Sequence, residues 1–374
     1  MSEKKYYKNR DIKVFLVDII TEALDEEQLN YRMTELENLT STYWWLVVLK
    51  KIQKRSIPDY NTYIWTGKLE EIREEMKETW ANLLIIWNIL KPAQIYHINN
   101  ILKSVWAEAW DMIDLILKIF QKNAKSVEAK LQIELAAIKH MWPRIFRMGM
   151  DLSRQWWWSK LARWLGETNT EIMKRHLKEK QIKIKQKLDE YRKTRKLHRE
   201  NRLSHNLATV WIVGYTNAGK SSLLNALTNK WVLAEDKLFA TLGTSVGKLY
   251  LQVDETTWKE ILLNDTIWFI RDLPPELIDA FSSTLEDSVH SQILMHVIDA
   301  SDPQIEEKFE IVESILKDIG ATQRKIYVFN KIDLIDDTQK AYIAGKFKRF
   351  KPIFVSCAQK EWFDKLKQRL LKYL

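Results

Sequence analysis

Three observations predict a three-part α/β architecture for this chain of 374 residues. The run Gly214-Tyr215-Thr216-Asn217-Ala218-Gly219-Lys220-Ser221 fits G-x-x-x-x-G-K-[ST]. It lies between a strand-like apolar run, Ala208 to Val213, and a helix-like stretch from Ser222. Strand-like and helix-like segments alternate both early and late in the chain, as parallel sheets require. Between these regions lie two long stretches of helical periodicity, about 126–141 and 171–202. The resulting fold class is α/β: a P-loop G domain (mostly parallel sheet flanked by helices) preceded by an α/β N-terminal domain and a long antiparallel helical hairpin. The expected boundaries are 1–120, 121–205 and 206–374, with an irregular segment at 153–168 joining the hairpin helices.

In the N-terminal part, Asp11 to Val17 reads as a strand. Thr21 to Leu39 reads as a polar helix with Leu24, Tyr31 and Leu39 at apolar positions. The runs Leu46 to Leu49 and Leu83 to Ile86 are short and apolar, and Leu69 to Thr79 between them carries charge at helical spacing. A small parallel sheet with a scaffold role is expected. In the hairpin, Val127, Leu131, Leu135, Ile138 and Met141 mark one apolar face, and Leu177, Ile184, Leu188 and Tyr191 another. From Ile172 to Arg202 there are thirteen basic side chains and four acidic ones, a surplus equal to the formal net charge of +9. A surplus so concentrated points to RNA phosphates more than to an ordinary solvated face.

Composition excludes several classes. Cys357 is the single cysteine, so there is no disulfide framework and a reducing, cytoplasmic setting is expected. Met1 to Lys5 is polar, unlike a signal peptide, and no apolar run approaches the roughly 18 residues of a membrane span. Seven histidines are scattered without ligand spacing, so no zinc site is expected. No long apolar seam demands a dimer, and a monomer is expected away from any larger partner.

The chemistry of the second half is phosphate chemistry. The P-loop glycines let backbone N–H groups point at phosphate oxygens, Lys220 reaches the β- and γ-phosphates, and the Ser221 hydroxyl ligates Mg²⁺. Ile261-Leu262-Leu263 leads to Asp265, placed to hold Mg²⁺ through water. Asn330-Lys331-Ile332-Asp333 is N-K-x-D. The Asp333 carboxylate can accept from guanine N1–H and the 2-amino group together, which adenine cannot supply, so GTP is the expected substrate. Asn330 would fix the loop, the Lys331 stem would cover the base, and a backbone N–H in Ser356-Cys357-Ala358 would reach guanine O6. Within Phe239-Ala240-Thr241, the Thr241 hydroxyl is the expected γ-phosphate sensor on Mg²⁺, with Thr244 a rival. Thr266, Ile267 and Trp268 complete the expected nucleotide contacts. Lys220, Thr241 and Asp265 are assigned to catalysis. Position 269 is Phe where many GTPases place a water-orienting Gln, so slow hydrolysis, accelerated by a partner, is expected.

These residues resemble the HflX family of translational GTPases over nearly the whole chain. The resemblance rests on GYTNAGKS, on DKLFATL at Asp236 to Leu242 and on FIRDLP at Phe269 to Pro274. It rests also on EAKLQIEL at Glu128 to Leu135, on Ser153-Arg154-Gln155, and on Pro58-Asp59 and Tyr63-Ile64 before Gly67-Lys68. The resemblance implies binding to the large ribosomal subunit and its RNA and splitting of stalled ribosomes, with the 153–168 loop entering the RNA. Arg154, Gln155, Trp156, Trp157, Trp158, Lys160 and Arg163 are the implied RNA contacts. A ribosome-assembly GTPase is the alternative within the same class.

The departures from the family are systematic. Trp156, Trp157, Trp158 and Trp164 stand at glycine places of the family's loop, with Leu165 in place of its proline. Trp268 replaces the glycine of D-T-V-G-F-I. Trp65, Trp44 and Trp45 fall at similar places, and Trp258 sits where a turn wants glycine. The segment after Leu242 also lacks the family's Asp-Pro. The chain has 17 Trp and 9 Gly; the two together make about 7%, the usual share of glycine alone. Most of these tryptophans are therefore expected to be glycines in the living protein, from a UGA codon read in the wrong table. If they are literal, a non-catalytic GTP- and RNA-binding protein is expected instead.

Overall fold

The computed structural model describes residues 12–20, 26–43, 45–124, 126–140, 169–204, 207–228, 245–265 and 289–374. They fall into two compact units: Met1–Lys122 with Ile133–Ile184, and Asn123–Gln132 with Lys185–Leu374. The hairpin residues are thus shared between the two units.

In the first unit, β1 (Lys13–Ile20), β2 (Leu46–Lys54), β3 (Leu83–Ile86) and β4 (Glu108–Asp111) form a wholly parallel sheet of order β2-β1-β3-β4. The helices are α1 (Glu26–Ser41), α2 (Thr66–Thr79), α3 (Pro92–Leu102) and α4 (Met112–Asn123). Phe15, Ile64, Leu69, Ile72, Met76, Leu84 and Ile98 are fully buried between sheet and helices. Strand β2 outruns the apolar segment that announced it. Among the described residues it pairs with β1 alone, and Lys50 and Lys54 extend the ladder with their side chains reaching water. Strand β4 gave no signal in the sequence because two of its four residues are acidic.

The last turns of this unit hold an unexpected feature. Helix α2 ends at Trp80, whose backbone is left-handed (φ 57°, ψ 31°). Trp80 N donates to Lys77 O and Ala81 N to Met76 O, the paired bonds of a Schellman cap. The turn Lys103–Val105 ends identically at Trp106 (φ 58°), with Trp106 N donating to Lys103 O and Ala107 N to Leu102 O. A third helix end, in the second unit, makes the same bonds with Gly320 (φ 75°): Gly320 N to Lys317 O and Ala321 N to Leu316 O. The three local sequences are KETWA, KSVWA and KDIGA. Trp80 and Trp106 are 81% and 77% exposed, so no packing compensates for the backbone they are held in. Trp362, before the C-terminal helix, is also left-handed, at φ 69°. Trp65 (φ −58°) is not, and Trp258 opens a strand rather than forming a turn, which corrects the expectation for that position.

The hairpin helices are α5 over residues 127–140 and α6, Asn169–Ser204. Arg195 pairs with Glu128, and Lys180 with Glu134 at 2.6 Å. One partner's number rises as the other's falls, as an antiparallel pair requires.

In the second unit a six-stranded sheet has the order β10-β9-β8-β5-β7-β6. Its strands are β5 (Ala208–Val213), β6 (Ser245–Gln252), β7 (Trp258–Asp265), β8 (Ile293–Asp299), β9 (Arg324–Asn330) and β10 (Ile353–Phe354). All neighbours are parallel except the β6–β7 pair. The helices are α7 (Lys220–Leu227), α8 (Ile305–Asp318), α9 (Asp337–Lys346) and α10 (Phe363–Tyr373). Val210, Ile212, Leu223, Leu263, Met295 and Val328 form one core; Phe309, Tyr327, Phe329 and Phe347 pack a second around α8 and α9. Among the described residues, no helix is long and apolar enough to cross a membrane.

Candidate nucleotide site

Strand β5 is central in its sheet, and its neighbours β7 and β8 lie on opposite sides. The chain leaving its C-terminal end therefore emerges at the switch point where open α/β sheets form ligand crevices. The P-loop occupies that place. A Cβ at Gly214 would lie 2.2 Å from Val297 O, and one at Gly219 (φ 89°) 2.1 Å from Asn330 Nδ2. Only glycine lets the loop approach the strand and the Asn330 side chain so closely.

Helix α7 starts at Lys220, so its N-terminal amides face the loop. The Lys220 ammonium donates to Gly214 O at 2.9 Å and Tyr215 O at 2.7 Å, and it is buried. Burial pushes its pKa down to about 8, against the opposing pull of Asp265. Such a desolvated cation gains strongly from an arriving phosphate. Beside it, Ser221 Oγ donates to Asp265 Oδ2 at 2.6 Å, and Asp265 is wholly buried at the end of β7. A hydroxyl and a carboxylate side by side are hard oxygen donors of the kind Mg²⁺ takes.

The base side is built on the ends of β9 and β10. Asn330 is buried, its Nδ2 donating to Ala218 O at 3.0 Å and its Oδ1 accepting from Cys357 N at 3.1 Å. Its carboxamide therefore joins the P-loop to the Ser356-Cys357-Ala358 loop. Ser356 Oγ donates to Asp333 Oδ1 at 2.6 Å, which orients that carboxylate. Lys331 is left-handed (φ 64°), and its ammonium lies 2.7 Å from Asp299 Oδ2. Burial, with the Asp333 charge, pushes the Cys357 thiol up to about 12.

Gly214 to Ser221, Asp265, Asn330 to Asp333 and Ser356 to Ala358 thus gather around the ends of β5, β7, β9 and β10. Phe239, Ala240, Thr241 and Thr244 lie outside the described residues, as do Thr266, Ile267 and Trp268. So does the loop with Arg154, Gln155, Trp156, Trp157, Trp158, Lys160 and Arg163. Sequence reasoning missed Asp299, which tethers Lys331, and Lys308, which lies over the Tyr215 ring at 4.9 Å and pairs with Asp302. Neither belongs to a motif; only β8, which ends at Asp299, could have pointed to the first.

Known proteins are similar to this chain over most of its length. A family described as "GTP-binding GTPase N-terminal" matches residues 30–121, "GTP-binding GTPase Middle Region" 123–202 and "50S ribosome-binding GTPase" 209–331. The GTPase HflX of Caldanaerobacter subterraneus subsp. tengcongensis is 40% identical over 342 residues, covering 90% of this chain and 77% of that protein. The chain belongs to the GTPase HflX family. The Escherichia coli GTPase HflX is 35% identical over 85% of this chain and 72% of its own length. Among solved structures, the complex of SsGBP with GDP aligns with a TM-score of 0.54 at 25% identity, covering 96% of this chain and 98% of that one. Like its HflX relatives, the chain is a P-loop GTP hydrolase.

Proposed function

We propose that this HflX protein is a cytoplasmic GTPase, monomeric when free, that acts on the large ribosomal subunit and its RNA and splits stalled ribosomes. The linked constellation of Lys220, Ser221, Asp265, Asn330 and Asp333 carries the GTPase part of this reading. The basic surplus of α6 and the ribosome-binding family match support the partner. Lys220 and the loop amides hold the phosphates, and Asp333 selects guanine. Ser221 and Thr241 would hold Mg²⁺, with Asp265 bonded through water. The ion neutralises charge that builds on the phosphate oxygens during transfer to water.

The catalytic reading needs a small residue at position 268, whose N–H is expected from the motif to reach the γ-phosphate. The helix ends favour it. Trp80 and Trp106 occupy, bond for bond, the cap that Gly320 forms, and tryptophan has no physical reason to be there. Glycine at these positions, and by the same decoding at 156, 157, 158 and 268, gives a working switch.

Two assays test the proposal. Steady-state GTP turnover should rise severalfold when large subunits are added. Sedimentation of intact ribosomes incubated with protein and GTP should show free subunits. Turnover unchanged by subunits would overturn the partner, and intact ribosomes with stimulated turnover would leave an assembly GTPase.

A further inference from the structure

Asp111 ends β4, Asp114 lies in the first turn of α4, and His140 is the last described residue of α5. The three meet at the C-terminal edge of the parallel N-terminal sheet, where ligand sites of such sheets form. Their side-chain donor atoms all lie within 4.8 Å of one another. His140 Nε2 is 3.3 Å from Asp111 Oδ1 and 3.4 Å from Asp114 Oδ1.

Those separations decide between two readings. A charge-assisted N–H···O bond is about 2.7–2.9 Å long. His140 Nε2 is buried and pairs with both carboxylates at separations longer than that. A tetrahedral ion with bonds of roughly 2.0–2.2 Å holds its donors about 3.3–3.5 Å apart. The two histidine–carboxylate separations fit the second geometry, and the two carboxylates lie within 4.8 Å of each other.

The carboxylates are held in place independently of the histidine. Asp111 Oδ2 accepts from Leu90 N, and Asp111 Oδ1 from Asp114 N at 3.0 Å. Asp114 Oδ2 accepts from Asp111 N at 3.2 Å. In this reciprocal cap of α4 the Asp114 Oδ2 faces the backbone while its Oδ1 lies beside the imidazole. Backbone donors of this kind are what orient carboxylate ligands around a bound ion.

We propose that Asp111, Asp114 and His140 bind a first-row divalent transition metal, with Zn²⁺ the fitting occupant and this triad supplying three of its ligands. An imidazole nitrogen in the set selects Zn²⁺ over Mg²⁺, which takes oxygen donors alone. The ion clamps the end of α5 to the sheet edge. It is chemically separate from the Mg²⁺ site of the GTPase domain.

The test uses the full chain, loaded with GDP in excess Mg²⁺ so that the nucleotide site is filled. Co²⁺ is added as the probe and then displaced by Zn²⁺. The expected result is one equivalent of Co²⁺ with the intense visible absorption of a tetrahedral site, lost on adding Zn²⁺. Both His140→Gln and Asp114→Asn should weaken Zn²⁺ binding by more than about 100-fold, beyond the 10–100-fold typical of outer-shell changes. Asp114→Asn keeps a side-chain oxygen for the α4 cap, so it decides the matter even if His140→Gln folds poorly. The absence of a saturable tetrahedral signal, or one unaltered in Asp114→Asn, would overturn the site.

Discussion

Replacing a surface residue by glycine within a helix normally costs about 0.5–1 kcal/mol relative to alanine. Trp80→Gly should do the reverse. At φ 57° the Trp80 Cβ crowds the following carbonyl oxygen, a strain of roughly 1–2 kcal/mol for an L-residue. The ring is 81% exposed and gives little back. Set against the extra freedom that glycine lends the unfolded chain, of about 0.4–1 kcal/mol, the net gain is about 1 kcal/mol. Trp106→Gly should gain as much, and the two sites, on separate turns, should add to about 2 kcal/mol. Trp362→Gly should gain less, because the Lys340 and Lys365 ammonium groups lie 5.1 and 5.6 Å from its ring and their attraction is lost. Urea melts of the tryptophan-bearing chain and its variants measure this directly. A gain of 1 kcal/mol appears as about 2–4 °C in a thermal melt of a unit this size. Loss of stability in Trp80→Gly would refute the strain argument. Peptide mass spectrometry of the protein from its own cells makes the companion test. Glycine masses are expected at 80, 106, 362, 156, 157, 158 and 268; tryptophan masses there would sink the decoding argument and favour a binding protein without turnover.

Asp333→Ala should lower GTP affinity by about 2–3 kcal/mol, on the order of 100-fold, because it removes a charged acceptor for two donors; titration with a fluorescent GTP analogue measures it. Lys220 has a folded pKa near 8, below its ordinary 10.5, so the nucleotide-free native state disfavours the ammonium. Its contribution to stability is greatest above pH 10.5 and falls as pH drops toward 8. A bound phosphate restores the charge, so GTP binding should take up protons between about pH 8 and 10, read as a buffer-dependent calorimetric enthalpy. No buffer dependence at pH 8.5 would place Lys220 away from the phosphates. In the metal-free chain burial disfavours a charged His140, but Asp111 and Asp114 outweigh it and raise its pKa to about 9. That contribution is whole below pH 6.5 and is lost as pH rises through 9, whereas His140→Gln should show no such loss in pH-dependent melts.

The nucleotide site was legible because its parts are local. Eight contiguous residues after β5 and four at the end of β9 carry their own turns, and their spacing encodes the chemistry before any folding is known. Asp265 and Ser221 lie 44 positions apart, yet each is flagged by its own strand or loop. His140 was not legible. It sits 29 positions from Asp111 on an ordinary helix face, and only the packing of α5 on the sheet edge brings them together. Strand β4 was hidden because the acids at its ends carry no apolar period. Composition showed an excess of tryptophan but could not say where it mattered: Trp258 looked like a turn and opens a strand, while Trp80 and Trp106 drew no notice until their dihedrals were known.

Because a single carboxamide, that of Asn330, fastens Ala218 O to Cys357 N, the phosphate and base halves of the site keep their spacing before any ligand arrives. GTP then behaves as a two-headed ligand whose second head is delivered at an effective concentration set by its ribose. Guanosine and tripolyphosphate supplied as separate molecules forgo that advantage. Asn330→Ala should narrow the difference between whole and halves, since the nucleotide itself must then bring the two loops into register.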